Sequence, residues 1–211
     1  MRKIGITVAV LIAIAAAVFD GIVLYYAIMA RTEEIKTVVV DLTLKHQDRA
    51  GTIGFVLAFG ESLAVFSFFW PATVVLIDIA AAFVVANVEM SIYAWTWLGA
   101  SIGGALGYTL SYLVGYVYRH QIEVMEVVRK HPRIVTFVRR WFAAEGWRSY
   151  TMVFVGHLLG PLRAVVPVLA GAMGMSQLWF QSANIPSSPV WALAVLATGY
   201  YGSPWLLWLF S

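Results

Sequence analysis

Long apolar runs alternate with short charged segments along the chain. The charged residues concentrate in two segments, 31–49 and 119–148. The rest of the chain holds five mostly apolar runs, at 1–30, 50–88, 92–118, 149–185 and 186–210. A membrane-spanning helix needs about 20 consecutive apolar residues. The runs at 1–30, 92–118 and 186–210 therefore each predict one transmembrane helix.

The runs at 50–88 and 149–185 differ from the others, because each is too long for one span and too short for two spans joined by a turn. Prolines interrupt both runs, Pro71 in the first and Pro161 and Pro167 in the second. Proline has no backbone N–H and blocks the i−4 hydrogen bond, so we expect it to break the helix. We predict that both runs are re-entrant helical hairpins shielded by protein.

The second hairpin carries a charge at its predicted break. Gly160 and Pro161 come just before Arg163, and Pro167 and Gly171 follow it. These glycines and prolines are predicted to break the helix and to let helix ends point at an anion. A charge at membrane depth is expensive, so Arg163 predicts a polar site that faces a cavity. The alternative is that Arg163 reaches a lipid headgroup from a kinked helix.

Three further ionisable residues lie inside the broken runs, Glu61 and Asp78 in the first and His157 in the second. Arg163 stays charged, and its planar fork fits a phosphate, so it is the predicted ligand for a lipid phosphate. Glu61 and His157 are predicted to complete this substrate site, and together with Asp78 to handle protons. The alternatives are structural: a hydrogen-bonded acid for each carboxylate, and a neutral histidine bonded to a backbone carbonyl.

The order of surface helix, broken hairpin and span occurs twice, at 31–118 and again at 119–210. An offset of 96 residues pairs Pro71 with Pro167. Inverted repeats with broken helices are the usual architecture of secondary transporters. We predict an all-α integral membrane protein with a single membrane domain over 1–211: a helical bundle with two opposed re-entrant hairpins as an inverted repeat, plus amphipathic surface helices.

The segment 119–148 fixes the predicted orientation. It contains seven Arg or Lys residues, with apolar residues interleaved. By the positive-inside rule it is cytoplasmic, which places the N-terminus in the cytoplasm as well. Its apolar face predicts an amphipathic segment on the inner leaflet.

The composition agrees with a membrane protein and excludes several classes. The chain is 61% hydrophobic and 12% charged, whereas soluble domains carry about 25% charged residues. It has no cysteine and four scattered histidines, so we predict no metal site and no cofactor. One basic loop accounts for the net charge of +3, so nucleic acid is not a predicted partner.

Glycines recur every four residues in the run at 92–118, at Gly99, Gly103 and Gly107. Such a stripe of small residues lets two helices approach closely. The pattern favours packing inside the chain over a dimer face, and a homo-oligomer stays an open alternative.

Several motifs together resemble the DedA family of membrane proteins, which also carries the SNARE-associated or VTT domain name. The matching stretch covers 50–203. In the second half it comprises Glu145-Gly146, the run from Gly156 to Arg163, Pro167, Ala170-Gly171, Phe180, Asn184 and Trp191. In the first half it comprises Glu61, Pro71, Gly99, Gly103, Gly107, Tyr112 and Gly115.

The resemblance implies two hairpins that face each other and a location in the bacterial inner membrane. It also implies transbilayer movement of a lipid phosphate, undecaprenyl phosphate or a phospholipid, coupled to protons. It transfers most directly to Glu61 and Arg163. The chain departs from the family at three places: the family's first arginine is His157, the acid that often follows the hairpin proline is Thr73, and a Gly-Asp is Gly107-Tyr108.

The predicted function is a flippase-like transporter whose partners are membrane lipids and protons. The alternatives are an energy-independent lipid scramblase and a proton-coupled small-ion transporter. An enzyme is not predicted, because no set of nucleophile, base and metal ligand is evident in the sequence. A lateral opening between the hairpins distinguishes lipid from ion transport, since a long lipid tail requires one.

Overall fold

The computed structural model describes residues 36–63, 72–120, 140, 142, 146–158 and 160–210, without the side chains of 160–162, 164 and 203–210. The chain divides into two compact units, residues 1–39 and 40–211. Of the first unit only residues 36–39 are described, and they are helical. The predicted helix at 1–30, the predicted break at Pro71 and most of the charged segment 119–148 lie outside the described residues.

The second unit is built from helices and contains no strand within its described ranges, which confirms the all-α prediction. Helical residues 40–45 (α1) and a 3-10 turn at Gln47–Arg49 precede the main elements. These are α2 (Ala50–Ser62), α3 (Ala72–Val85), α4 (Met90–Val117), α5 (Trp147–Leu158), α6 (Gly160–Ala172) and α7 (Gln177–Phe210).

Two short helices followed by one long helix occur twice. The helices α2 and α3 have 13 and 14 residues and α4 has 28. In the second half, α5 and α6 have 12 and 13 residues and α7 has 34. At 1.5 Å per residue the short helices are only about 20 Å long, roughly half of α4. The two broken hairpins predicted from the sequence are therefore present.

Two of the residues that were predicted to break the second hairpin lie inside a continuous helix. Helix α6 continues through Pro167 and Gly171 to Ala172, so the prediction that these two residues break it is wrong. Tertiary packing tolerates the single hydrogen bond that Pro167 removes. Helix α5 ends at Leu158 and α6 begins at Gly160, followed directly by Pro161. Proline is favoured in a first helical turn, where backbone N–H groups have no intrahelical acceptor.

Both second helices end in the same way. The terminating residues are Asn87 (φ 50°) after α3 and Gly174 (φ 79°) after α6. The next N–H bonds back to the carbonyl five residues earlier, at 2.9 Å from Val88 to Phe83 and at 3.1 Å from Met175 to Ala170. This is the Schellman motif, which uses a left-handed residue to end a helix.

The repeat register predicted from the sequence holds only for the first helix of each half. The ends of α2 and α5 are 96 residues apart, but the starts of α3 and α6 are 88 residues apart. The two registers differ because α2 ends ten residues before α3 begins, whereas α5 ends two residues before α6 begins. Pro71 lies outside the described residues, so its pairing with Pro167 stays a prediction.

The glycine stripe of α4 packs against α2. Added Cβ atoms at Gly99, Gly103 and Gly107 would meet the carbonyl oxygens of Gly51, Phe55 and Phe59, respectively. Both series advance by four residues in the same direction, so the two helices are parallel. The stripe thus packs within the chain, as the sequence analysis favoured.

The long helices α4 and α7 are antiparallel, which makes the two halves inverted. Early in α4, the Trp97 indole N–H donates to the Pro189 carbonyl at 2.9 Å. Further along α4, the Asn184 amide donates to the Ala105 carbonyl at 3.0 Å. As the residue number in α4 rises, the number of its partner in α7 falls. The inverted repeat is therefore a property of the fold.

The second short helix of each half packs on the long helix of the other half. Helix α3 packs on α7 at Gly199, where an added Cβ would meet the Ile77 carbonyl oxygen. Helix α6 packs on α4 at Gly115 and Gly171, where backbone meets backbone. This exchange brings the end of α2 and the start of α6 together in the centre of the molecule.

By a hydropathy criterion, none of the helices within the described ranges is both long and apolar enough to qualify as a membrane span.

We predict that Gly103→Ala destabilises the fold by about 1–3 kcal/mol, because the new methyl group meets the Phe55 carbonyl across the α2–α4 contact. The matched control is Gly202→Ala in α7, where an added Cβ meets nothing within 4 Å. At this position we expect no loss of stability, since alanine is more favourable than glycine in a helix by up to about 1 kcal/mol. Thermal unfolding in detergent measures both, and equal shifts for the two variants would contradict the packing role of Gly103.

Candidate functional site

A buried ion pair lies where the two broken hairpins meet. Glu61 is in the last turn of α2, and Arg163 is in the first turn of α6. Nη1 of Arg163 donates to Oε2 of Glu61 at 3.1 Å. Arg163 is 1% exposed and Glu61 9% exposed. The two residues to which the sequence analysis gave the clearest roles are thus in direct contact.

The end of α2 supplies further partners to the guanidinium. Nε of Arg163 donates to the Ser62 hydroxyl at 3.1 Å, and Nη2 donates to the Ala58 carbonyl at 3.3 Å. The Ala58 carbonyl also accepts from the Ser62 hydroxyl at 2.8 Å, and it lies near the C-terminal end of α2, which is the negative end of the helix dipole. A cation placed there is favoured, and the added hydrogen bonds offset the cost of burying it.

An indole ring closes the other face of Arg163. The guanidinium carbon lies 3.6 Å from the ring centroid of Trp191, a residue of α7 that is 4% exposed. A desolvated contact of this kind contributes about 2 kcal/mol. Arg163 therefore does not extend to the surface, and the snorkelling alternative is not what the structure shows.

Glu61 is held from a third helix. The Thr73 hydroxyl, in the first turn of α3, lies 2.6 Å from Oε1 and 2.8 Å from Oε2 of Glu61. Thr73 stands where the family to which the chain is similar often has an acid. Here the Thr73 hydroxyl donates a hydrogen bond to the Glu61 carboxylate, whereas an acid would add a second negative charge beside it.

His157 lies next to the ion pair at the end of α5. It is fully buried, and its Nδ1 is 3.1 Å from the Ser187 hydroxyl, which donates to the Asn184 carbonyl at 3.0 Å. A hydroxyl proton engaged in that way matches the tautomer in which Nδ1–H of His157 donates to Ser187 and Nε2 carries the lone pair. Nε2 is buried and has no hydrogen-bond partner among the described residues.

Gly104 of α4 provides the space into which Nε2 of His157 points. An added Cβ at Gly104 would lie 3.4 Å from Nε2 of His157, 3.3 Å from Nη2 of Arg163 and 2.7 Å from the Ser188 hydroxyl. These polar groups converge on one point because glycine has no side chain. His157 thus belongs to the same site as Arg163, although its hydrogen bond is to Ser187.

Two departures from the family pattern contact each other. The rings of His157 and Tyr108 stack with centroids 4.3 Å apart and an interplanar angle of 27°. The family places an arginine and an acid at these two positions. The sequence analysis noted both changes but did not predict that the two residues meet.

Asp78 lies further along α3 than Thr73. It is half-buried, five residues beyond Thr73, which is about 140° around a helix of 3.6 residues per turn. The hydrogen bonds of Arg163, Glu61 and His157 given above do not include Asp78, which has an interaction elsewhere. The structure groups Glu61 and His157, and the proton-handling role of Asp78 stays a prediction.

Three side chains that contact the ion pair were not predicted: Ser62, Thr73 and Trp191. They carry no charge, so they do not stand out in an apolar run as an ionisable group does. The available signals were the position of Ser62 beside Glu61, of Thr73 at the family's acid position, and of Trp191 within the matching motif.

A cavity of about 370 Å³ adjoins the ion pair. It lies between α3, α5 and α7, and its lining residues are Thr73, Ile77, Leu158, Trp191, Ala194, Val195 and Thr198. Leu158, Ala194 and Thr198 are exposed, so the cavity opens at the surface of the chain. An opening of this kind is what the sequence analysis required for a lipid.

Two curated proteins from bacteria are similar to this chain. The Inner membrane protein YabI of Escherichia coli (strain K12) is 26% identical over 136 residues, which cover 64% of this chain and 51% of YabI. An uncharacterized membrane protein of Buchnera aphidicola subsp. Baizongia pistaciae (strain Bp) is 25% identical over 136 residues, with the same coverage of 64% and 51%. The chain thus spans about half the length of these relatives. Their names support a membrane location for this chain.

No family model matches the chain. No solved structure matches it either.

We predict that Arg163→Met destabilises the fold by about 3–5 kcal/mol, because it leaves the Glu61 carboxylate buried without its cation. The double variant Glu61→Gln/Arg163→Met is expected to lose less, since both buried charges are then gone. A double-mutant cycle on the free energy of unfolding in detergent measures the coupling, expected at about 0.5–3 kcal/mol. Additive effects of the two substitutions would mean that the pair does not stabilise the fold.

Proposed function

We propose that this chain is a proton-coupled membrane transporter that moves a phosphate-bearing lipid, undecaprenyl phosphate or a phospholipid, across the bilayer. The observation that carries the proposal is the buried pair of Arg163 and Glu61, which lies between two inverted broken hairpins and beside an open cavity. Inverted broken hairpins around a central charged site are the general architecture of secondary transporters.

Arg163 is the proposed ligand of the phosphate. Its guanidinium keeps its charge and offers paired N–H donors that match phosphate oxygens. In the structure, Glu61 occupies one of these donors and Ser62 and Ala58 occupy others. The carboxylate stands in for the anion in the empty carrier, so a phosphate replaces Glu61 rather than adding to it.

Glu61 is the proposed link to protons. A proton on Glu61 removes the counter-charge of Arg163, and the guanidinium then attracts the phosphate without competition. When the phosphate leaves, Glu61 loses the proton and restores the ion pair. Glu61 therefore gains a proton when the phosphate binds Arg163 and loses it when the phosphate leaves, which couples the two movements.

The open cavity favours a lipid over a small ion. Its mouth at Leu158, Ala194 and Thr198 lets a hydrocarbon tail remain outside the helical core while the headgroup approaches Arg163. A small-ion pathway has no need of an opening of this size. The experiment below distinguishes the lipid transporter from the small-ion transporter and from the scramblase.

We infer transport rather than catalysis from the surroundings of the one serine–histidine pair at the site. Ser187 and His157 are both fully buried, and the Ser187 hydroxyl donates to the Asn184 carbonyl. A hydroxyl that donates to a backbone acceptor is not aligned to pass its proton to His157, so Ser187 is not placed to act as a nucleophile.

We predict that proteoliposomes containing the wild-type chain move a polyprenyl phosphate across the bilayer faster when a pH gradient is imposed. Glu61→Gln is expected to remove the stimulation by the gradient, and Arg163→Ala to abolish movement of the phosphate lipid. A phospholipid is tested in parallel, with protein-free liposomes as the baseline.

Gradient-insensitive movement of both lipids by all three proteins would identify a scramblase. If no lipid moves and the chain instead carries protons alone, the small-ion transporter replaces the lipid transporter. Recovery of folded protein by size-exclusion chromatography separates loss of transport from loss of the fold.

We predict that His157→Phe retains the fold and loses most of the gradient stimulation, because phenylalanine keeps the ring stacking on Tyr108 but has no Nε2 to accept a proton. The measurement compares thermal unfolding with gradient-driven lipid movement in the same preparations. Unchanged gradient stimulation would assign His157 a structural role only.

A further inference from the structure

The open cavity and the buried ion pair share two residues. Thr73 lines the cavity and donates to Glu61 at 2.6 Å. Trp191 lines the same cavity, and its ring lies 3.6 Å from the guanidinium carbon of Arg163. One layer of side chains therefore separates the opening at the surface from the charged centre.

The rest of the cavity wall is mainly apolar. Ile77, Leu158, Ala194 and Val195 contribute hydrocarbon surface, and Thr198 adds one hydroxyl. The charged centre lies behind one end of the cavity, and the exposed residues lie at its mouth. Such a cavity suits a ligand with an anionic head and an apolar tail, and its volume falls within the usual range for ligand sites, about 300–1,000 Å³.

Trp191 covers both basic groups of the site. Besides its contact with Arg163, its ring centroid lies 6.0 Å from that of His157. An anion in the cavity competes with the indole for the guanidinium, because charge-assisted hydrogen bonds to phosphate are stronger than a cation–π contact. Direct contact between phosphate and Arg163 requires the ring to move aside.

We propose that this cavity is the binding site for the lipid phosphate, and that Trp191 is a positioning residue that covers Arg163 until the phosphate enters. The inference rests on the proposed function and adds the route by which the substrate reaches the cation. Thr73 also lies between the cavity and the ion pair, and rotation of its side chain would transfer its hydrogen bond from Glu61 to the phosphate.

A second cavity of similar size provides a matched control. It has a volume of about 380 Å³, lies between α4 and α7, and includes Ala94 in its wall. None of its lining residues contacts Arg163 or Glu61 among the described contacts. Ala94 and Ala194 are both exposed helical alanines, so the same substitution fills one cavity or the other.

The first experiment measures binding of decyl phosphate to the full chain in a neutral maltoside detergent. Ala194→Phe is expected to weaken binding by at least about tenfold, because the new ring occupies the cavity. Ala94→Phe is expected to leave binding unchanged. Inorganic phosphate is tested in parallel, and binding as tight as that of decyl phosphate would show that the site takes the free anion, which would overturn the assignment to a lipid.

The second experiment measures the accessibility of Arg163 to phenylglyoxal, with the modified peptide identified by mass spectrometry. In the wild type we expect slow modification, because Arg163 is 1% exposed. Trp191→Ala is expected to accelerate modification of Arg163, decyl phosphate to protect it, and Trp191→Phe to remain close to the wild type. Modification that is equally slow in Trp191→Ala would show that Trp191 does not cover the cation.

These results separate the inference from the proposed function. Equal effects of Ala194→Phe and Ala94→Phe on decyl phosphate binding would overturn the cavity assignment, whether or not the wild type transports lipid. If the wild type moves no lipid in proteoliposomes but Ala194→Phe alone abolishes decyl phosphate binding, the binding site stands and the transport proposal fails.

Discussion

The buried guanidinium of Arg163 is the group to which the rest of the structure is fitted. A charge without access to water is stable only when it is paired and hydrogen-bonded, and here the partners come from α2 and α7. Helix α6 therefore begins at Gly160, within one turn of Arg163, and its start faces the end of α2. Helix α4 contacts both of these helices: its glycine stripe packs on α2, and its Gly115 packs on α6.

The sequence predicted the charged residues of the site better than their neutral partners. Glu61 and Arg163 stood out because ionisable groups are rare in apolar runs, and the structure places them in contact. Thr73 and Trp191 did not stand out, because a hydroxyl or a ring gains its role only from what lies beside it. The same limit applied to His157 and Tyr108, whose stacking depends on the packing of α5 on α4.

The helix boundaries show a second limit of sequence reasoning. The two short helices of each hairpin were expected because the apolar runs had the wrong length for spans, and this argument held. The positions of the breaks were harder to predict, since Pro167 lies within α6 whereas α5 ends at Leu158. Proline removes one hydrogen bond, and the contacts of the whole helix decide whether that loss ends it. The register of 96 residues held for the ends of α2 and α5 but not for the starts of α3 and α6, because composition does not mark where a helix begins within an apolar run.

The different registers of the two halves have a consequence for their symmetry. In a chain of two identical inverted repeats, exchanging the two halves leaves the structure unchanged. Here the ends of α2 and α5 are 96 residues apart, the starts of α3 and α6 are 88 residues apart, and α7 is six residues longer than α4. The two halves are therefore not equivalent, and two conformations that exchanged their roles would differ in free energy.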